Sequence, residues 1–120
     1  MMDSKNRWVR EMNESEFLAR SESILDSLES QSDDWVSLHD LDIEAIRSGN
    51  VLTLVFDNSI HVVINSQAPM QEMWVAAPSG GFHYRFDGQR WNDTRGGPHM
   101  AEALSQIVSE ATGQPIKVVI

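Results

Sequence analysis

The apolar residues of this 120-residue chain change their spacing twice, and those two changes frame everything between them. Phe17, Ser21, Ile24, Leu25 and Leu28 fall at i, i+4, i+7, i+8 and i+11, which is one face of an α-helix. Met100, Leu104, Ile107, Val108 and Ala111 repeat the template near the end of the chain. Asn13, with Glu16 three residues on, predicts a capped start for the first helix. Pro98 suits the first turn of the second, and Gly113 followed by Pro115 stops it.

Between the helices the period falls to two. Asp40-Leu41-Asp42-Ile43-Glu44 alternates, and residues 51–56 and 60–65 are β-branched runs joined by Asp57-Asn58, a two-residue hairpin signal. Further strands fit 70–77, 82–86 and 89–93, with turns at Pro78-Ser79-Gly80-Gly81 and Asp87-Gly88. The tail 116–120 reads as a last short strand or a packed extension. Six sequential strands with tight turns make an antiparallel sheet. Two amphipathic helices must each bury a stripe, and laying them side by side on one sheet face does so most cheaply. The expected fold is α+β: a two-layer sandwich with its other sheet face open to water.

Charge is the second constraint. The chain carries a net −9, and residues 14–44 hold all of it. Ten carboxylates (Glu14, Glu16, Glu22, Asp26, Glu29, Asp33, Asp34, Asp40, Asp42, Glu44) stand there against the single base Arg20. With no basic cluster, nucleic acid is a poor partner, because phosphate binding needs Lys and Arg to displace counterions. Anionic membrane surfaces are disfavoured for the same reason, and no apolar run approaches ~18 residues. Residues 1–13 are too charged for a signal peptide, and Asp3 and Glu11 break the acid-poor pattern of a transit peptide. The absence of cysteine excludes disulfides, thiolate metal sites and a cysteine nucleophile. A cytoplasmic protein is the default expectation.

Glu22, Asp26, Glu29 and Asp33 lie within about 60° of one another around a helix. Asp40, Asp42 and Glu44 take alternate positions of the expected first strand, so all three are predicted to point to one side, with Asp33 and Asp34 at the hand-over. A helix packed along that strand merges them into one acidic ridge. A solvated face mixes signs, and this one does not. Oxygen-only ligands suit Ca²⁺, Mg²⁺, Mn²⁺ or iron, in a shallow and hydrated site that binds weakly. His39 adjoins the ridge and is a candidate nitrogen ligand. The EF-hand, zinc-hydrolase, phosphate-loop and dinucleotide patterns are missing.

Residues 65–95 read Asn65-x-Gln67-x-Pro69-x-Gln71-x-x-Trp74-x-Ala76, then Gly80-Gly81-x-His83-Tyr84, then Trp91-x-Asp93-x-Arg95. That series, after an acidic first helix, resembles the frataxin family in its bacterial CyaY-type branch. The resemblance implies a single frataxin-like domain over 12–120, with residues 1–11 a flexible N-terminal extension. It implies an iron-binding protein of iron–sulfur cluster assembly, without catalysis of its own, that binds Fe²⁺ and Fe³⁺ weakly through Glu22, Asp26, Glu29, Asp33, Asp34, Asp40, Asp42 and Glu44. It further implies contact with the cysteine desulfurase and with the iron–sulfur scaffold protein, through the ridge including Glu14 and through Asn65, Gln67, Gln71 and Trp74 on the open sheet face. A monomer is expected, with iron-dependent oligomers as the variation. A ferroxidase or iron-storage activity and a metal-indifferent acidic interaction module are the alternatives.

Overall fold

The computed structural model describes residues 12–120 of the chain. The expected extension over 1–11 lies outside the described residues. Helix α1 spans Glu14–His39. Its start is a capping box: the Asn13 side chain accepts the Glu16 N–H at 2.8 Å, and the Glu16 carboxylate accepts the Asn13 N–H at 3.2 Å. The apolar stripe runs further than residues 17–28, because Ser32 and Trp35 are buried as well. The helix therefore continues until Asp40 takes a left-handed conformation (φ 54°) and donates its N–H to the Val36 carbonyl. Asp33 and Asp34, expected at the hand-over, are consequently inside the helix near its C-terminal end.

The six strands are β1 (Ile43–Ser48), β2 (Val51–Phe56), β3 (Ile60–Gln67), β4 (Glu72–Ala77), β5 (Gly80–Phe86) and β6 (Trp91–Asp93). They pair antiparallel in sequence order, as a meander. Strand β1 starts at Ile43, so only Glu44 of the alternating acids belongs to it. The reason is the partner strand. Ile43 pairs with Phe56, after which Asp57 and Asn58 turn through left-handed conformations (φ 52° and 57°). Asp40 is the helix cap, and Asp42 precedes the strand. The hairpin loop also takes in Ser59, since Phe56 pairs with Ile60.

Other boundaries move for equally local reasons. Gly80 and Gly81 are strand residues opposite Ala77 and Ala76, which leaves Pro78 and Ser79 to make the turn. A 3₁₀ turn at Ala68–Met70, ending on left-handed Gln71 (φ 52°), delays β4 to Glu72. The loop 87–90 delays β6. There the Asp87 carboxylate accepts the Gln89 and Arg90 N–H groups at 2.8 and 2.9 Å and the Asn92 amide at 2.7 Å. Those donors, Arg90 first, hold its carboxyl below the usual range. Helix α2 spans Met100–Thr112, with His99 at its N-cap and Gly113 at its C-cap, so Pro98 lies just outside it.

Both helices cover the same sheet face. Leu52, Leu54 and Phe56 of β2, Val62 and Ile64 of β3, Met73 and Val75 of β4, and Tyr84 and Trp91 meet Phe17, Leu25 and Leu28 of α1 and Met100, Leu104 and Val108 of α2. Each large side chain so buried contributes roughly 1.5–3 kcal/mol. The tail is a packed extension. Ile116 and Val118 are buried, and their N–H groups donate to the Ser109 and Ser105 hydroxyls at 2.9 and 2.8 Å. The Gln31 amide donates to the Val119 carbonyl at 2.7 Å, tying the tail to α1 as well.

Tyr84 is the odd member of this core. It is fully buried, and its hydroxyl meets no hydrogen-bond partner among the described residues. Burial first, and the nearby Asp93 charge second, push the phenol up from 10 to about 12. The folded state therefore keeps a proton that the unfolded chain gives up. Its contribution to stability is fully present below pH 10 and is lost as pH rises towards about 12, by roughly 1 kcal/mol per pH unit. Denaturant melts of wild type and Tyr84→Phe across that interval are expected to diverge, with Phe the flatter. At neutral pH the Phe variant is expected to equal wild type or to gain up to about 1 kcal/mol. Parallel pH curves would refute this account of Tyr84.

Candidate functional site

Arg47 decides how the acidic surface is arranged. It lies on β1 at the same parity as Ile43 and Ala45, and its side chain is only 16% exposed. From there it reaches across to α1. Nη1 lies 2.7 Å from Asp26 and 3.8 Å from Glu29, and Nη2 lies 2.8 Å from Glu22. Its Nε donates to the Gly49 carbonyl at 2.8 Å. The hydrogen bond to Asp26 is the main reason its pKa rises further. Helix and first strand are thus neighbours, as the ridge requires, but the seam between them is stitched by a cation.

The acids accordingly divide. Glu22, Asp26 and Glu29 share Arg47, whereas Asp33, Asp34, Asp40, Asp42 and Glu44 are exposed and form no ion pair among the described residues. The second group surrounds the C-terminal end of α1 and the entry to β1. Unsatisfied carbonyls already place partial negative charge at a helix C-terminus, so carboxylates there add to a potential that favours cations. His39, half-buried in the last turn, is the local base. Glu14 is elsewhere. It occupies the opposite end of α1, about 28 Å along the axis from Asp33, where an acid suits the dipole.

Among the described residues no three His, Cys, Asp or Glu side chains are gathered closely enough to hold a metal ion between them. The donor set is nonetheless hard oxygen on rigid elements and open to water. That chemistry fits a hydrated cation attracted by several carboxylates, each making few direct bonds.

A second polar surface lies on the uncovered sheet face. Asn65 stands opposite Trp74 across β3 and β4, and Gln67 donates its amide to the Asn65 side chain at 3.1 Å. Gln71 is not with them. It sits in the left-handed corner before β4 and donates its side-chain amide to the Met12 carbonyl. Trp74 donates its indole N–H to Glu72 at 2.9 Å, and its ring stacks on His83 with centroids 4.1 Å apart and planes 5° apart. Arg85 donates to the same carboxylate at 3.2 Å. Spacing did not single out Arg47 or Glu72. Strand parity carried the signal for both, because it puts a base on the inward side of β1 and an acid two residues from Trp74.

Replacing Arg47 with Met is expected to destabilise the fold by about 1–2 kcal/mol, since it removes the counter-ion of three carboxylates and leaves them facing one another. The loss is expected to shrink in high salt. Thermal melts at low and high ionic strength check both points, and a salt-independent loss would assign the effect to packing of the Arg47 stem.

A family model described as a frataxin-like domain matches residues 10–114. The iron-sulfur cluster assembly protein CyaY of Bordetella petrii is 67% identical over 107 residues, covering 89% of this chain and 98% of that protein. The protein of the same name from Janthinobacterium sp. (strain Marseille) is 50% identical over 106 residues, covering 88% and 95%. Among solved structures, the frataxin from Psychromonas ingrahamii superposes with a TM-score of 0.71 at 27% identity, covering 91% of this chain and all of that one. The trimeric yeast frataxin complexed with ferrous iron gives 0.69 at 24% identity, covering 88% and 90%, a likeness of fold.

Proposed function

Because this chain belongs to the frataxin-like family, we propose that it serves iron–sulfur cluster assembly as an iron-binding regulator rather than a catalyst. Fe²⁺ or Fe³⁺ is its cargo, held weakly and largely hydrated at the C-terminal end of α1 and the entry to β1. The observation that carries this reading is the set of five exposed carboxylates, Asp33, Asp34, Asp40, Asp42 and Glu44, that form no ion pair among the described residues. Glu22, Asp26 and Glu29, already sharing Arg47, extend the negative field along the helix. Other hard divalent cations are expected to compete.

The same surface suits a basic face of the cysteine desulfurase, since complementary charge speeds encounter and fixes orientation. Through it the protein acts as iron donor or iron-dependent modulator of that enzyme. The uncovered sheet face around Asn65, Gln67 and Trp74 is the surface for the scaffold protein on which clusters are built. The reading makes the protein cytoplasmic and, without iron, monomeric. No helix among the described residues is long and apolar enough to cross a membrane.

An anaerobic Fe²⁺ titration followed residue by residue by NMR tests the cargo site. Amide signals of residues 33–44 are expected to respond first, and Asp33→Asn with Asp34→Asn is expected to weaken binding several-fold. Wild-type affinity in that double variant would remove iron from this surface. Separately, Glu29→Lys with Asp33→Lys and Asp34→Lys is expected to weaken desulfurase binding by about tenfold or more at low salt. An unchanged affinity would detach the desulfurase from the acidic face.

A further inference from the structure

The uncovered sheet face contains a side chain that does not belong on an open surface. Glu72 of β4 shares its parity with Trp74, yet its side chain is only 9% exposed. Taking a carboxylate out of water is costly unless its oxygens are bonded. Here Oε1 accepts the Trp74 indole N–H at 2.9 Å and lies 3.5 Å from His83 Nδ1, while Oε2 accepts from Arg85 at 3.2 Å. Arg85 also donates to the Met70 carbonyl at 3.2 Å, which fastens the group to the turn before β4. His83, Trp74's partner in the β4–β5 register, covers one face of the indole in parallel contact.

From this arrangement we propose that Glu72 and His83 are positioning residues that hold Trp74 in one rotamer as a preformed docking anchor. The proposal rests on the reading that this face meets the scaffold protein. Two independent contacts fix the indole: the bond to Glu72 sets its N–H edge, and the His83 ring sets its plane. The ring is left half-exposed beside the Asn65–Gln67 amide pair. Arg85 offsets the Glu72 charge, so the patch is close to neutral in a chain of net −9. It therefore suits a neutral partner segment that lays an aliphatic or aromatic side chain on the indole and main-chain groups on the amides. The acidic face suits a basic partner. Anchoring a side chain before encounter removes an ordering cost from binding, an effect worth about 3–10-fold in affinity per immobilised side chain.

The test measures the affinity of the full-length chain for the scaffold protein of its own organism, together with the Trp74 indole N–H resonance and its exchange with water. Glu72→Met removes the acceptor, and Glu72→Gln keeps one. His83→Ser removes the stack, and His83→Phe keeps one. Met and Ser are expected to weaken binding by about 3–10-fold, with the indole signal shifted and exchanging faster, while Gln and Phe stay near wild type. Full affinity in Glu72→Met or His83→Ser despite a moved indole signal would overturn the proposal. So would Glu72→Gln as weak as Glu72→Met, because charge and not position would then be the cause. If Glu72→Met does not fold, the two His83 variants decide the matter by the same comparison of affinity with indole signal. Trp74→Ala that binds the scaffold at full affinity would overturn the docking reading itself, and the proposal with it.

Discussion

Phe17, Ile24, Leu25, Leu28 and Trp35 have to leave water together, and among the described residues they do so in one core with the apolar side of the sheet. Once α1 lies down on that stripe, its opposite face must stay solvated. The polar face is where the carboxylates are, so burial of one side of a helix is also what displays the other. The second helix obeys the same rule beside it, and Ile116 and Val118 are buried with the tail hydrogen-bonded to both helices. A meander of six short strands is a consistent scaffold for this, because every connection between strands is short and none has to cross the helical layer.

Like charge concentrated on one helix opposes folding, and Arg47 shows how the fold tolerates it. A single guanidinium from the edge strand meets three carboxylates at the seam, in the half of α1 nearer its middle. Beyond its reach the acids are left facing water at the end of the helix where the backbone dipole is also negative. The unrelieved repulsion and the capacity to attract cations are one property of that end. Its stability cost and its use therefore cannot be separated by a substitution that simply removes charge.

An uncovered sheet face invites association when its rows of outward side chains form a large apolar patch, and an open edge invites strand pairing. Here the rows are broken by amides, by Gly81 and by the Glu72–Arg85 pair, and β1 at one edge presents Glu44. The two surfaces of the molecule are thus opposite in kind. One is strongly charged, with five exposed carboxylates that form no ion pair among the described residues. The other is close to neutral, organised around an aromatic ring held by its neighbours.

Both helices, the capping box at Asn13, the β2–β3 hairpin and the order of the strands could be read from the chain, because each follows from residues a few positions apart. The ten acids of residues 14–44 were equally legible, since charge is a property of composition. What the chain could not reveal is which acids are already spoken for. Arg47 meets Asp26 and Glu22 across 21 and 25 positions, and only the packing of α1 on β1 brings them together. The end of α1 at Asp40 depended on Trp35 finding a buried site, and the start of β1 depended on where β2 turned away. The burial of Glu72 depended on register across three strands. Periodicity and charge are local quantities and determined the elements and the sign of the surface. Proximity between distant elements is not local, so the tertiary structure alone decided which carboxylates stay free and which aromatic ring is held still.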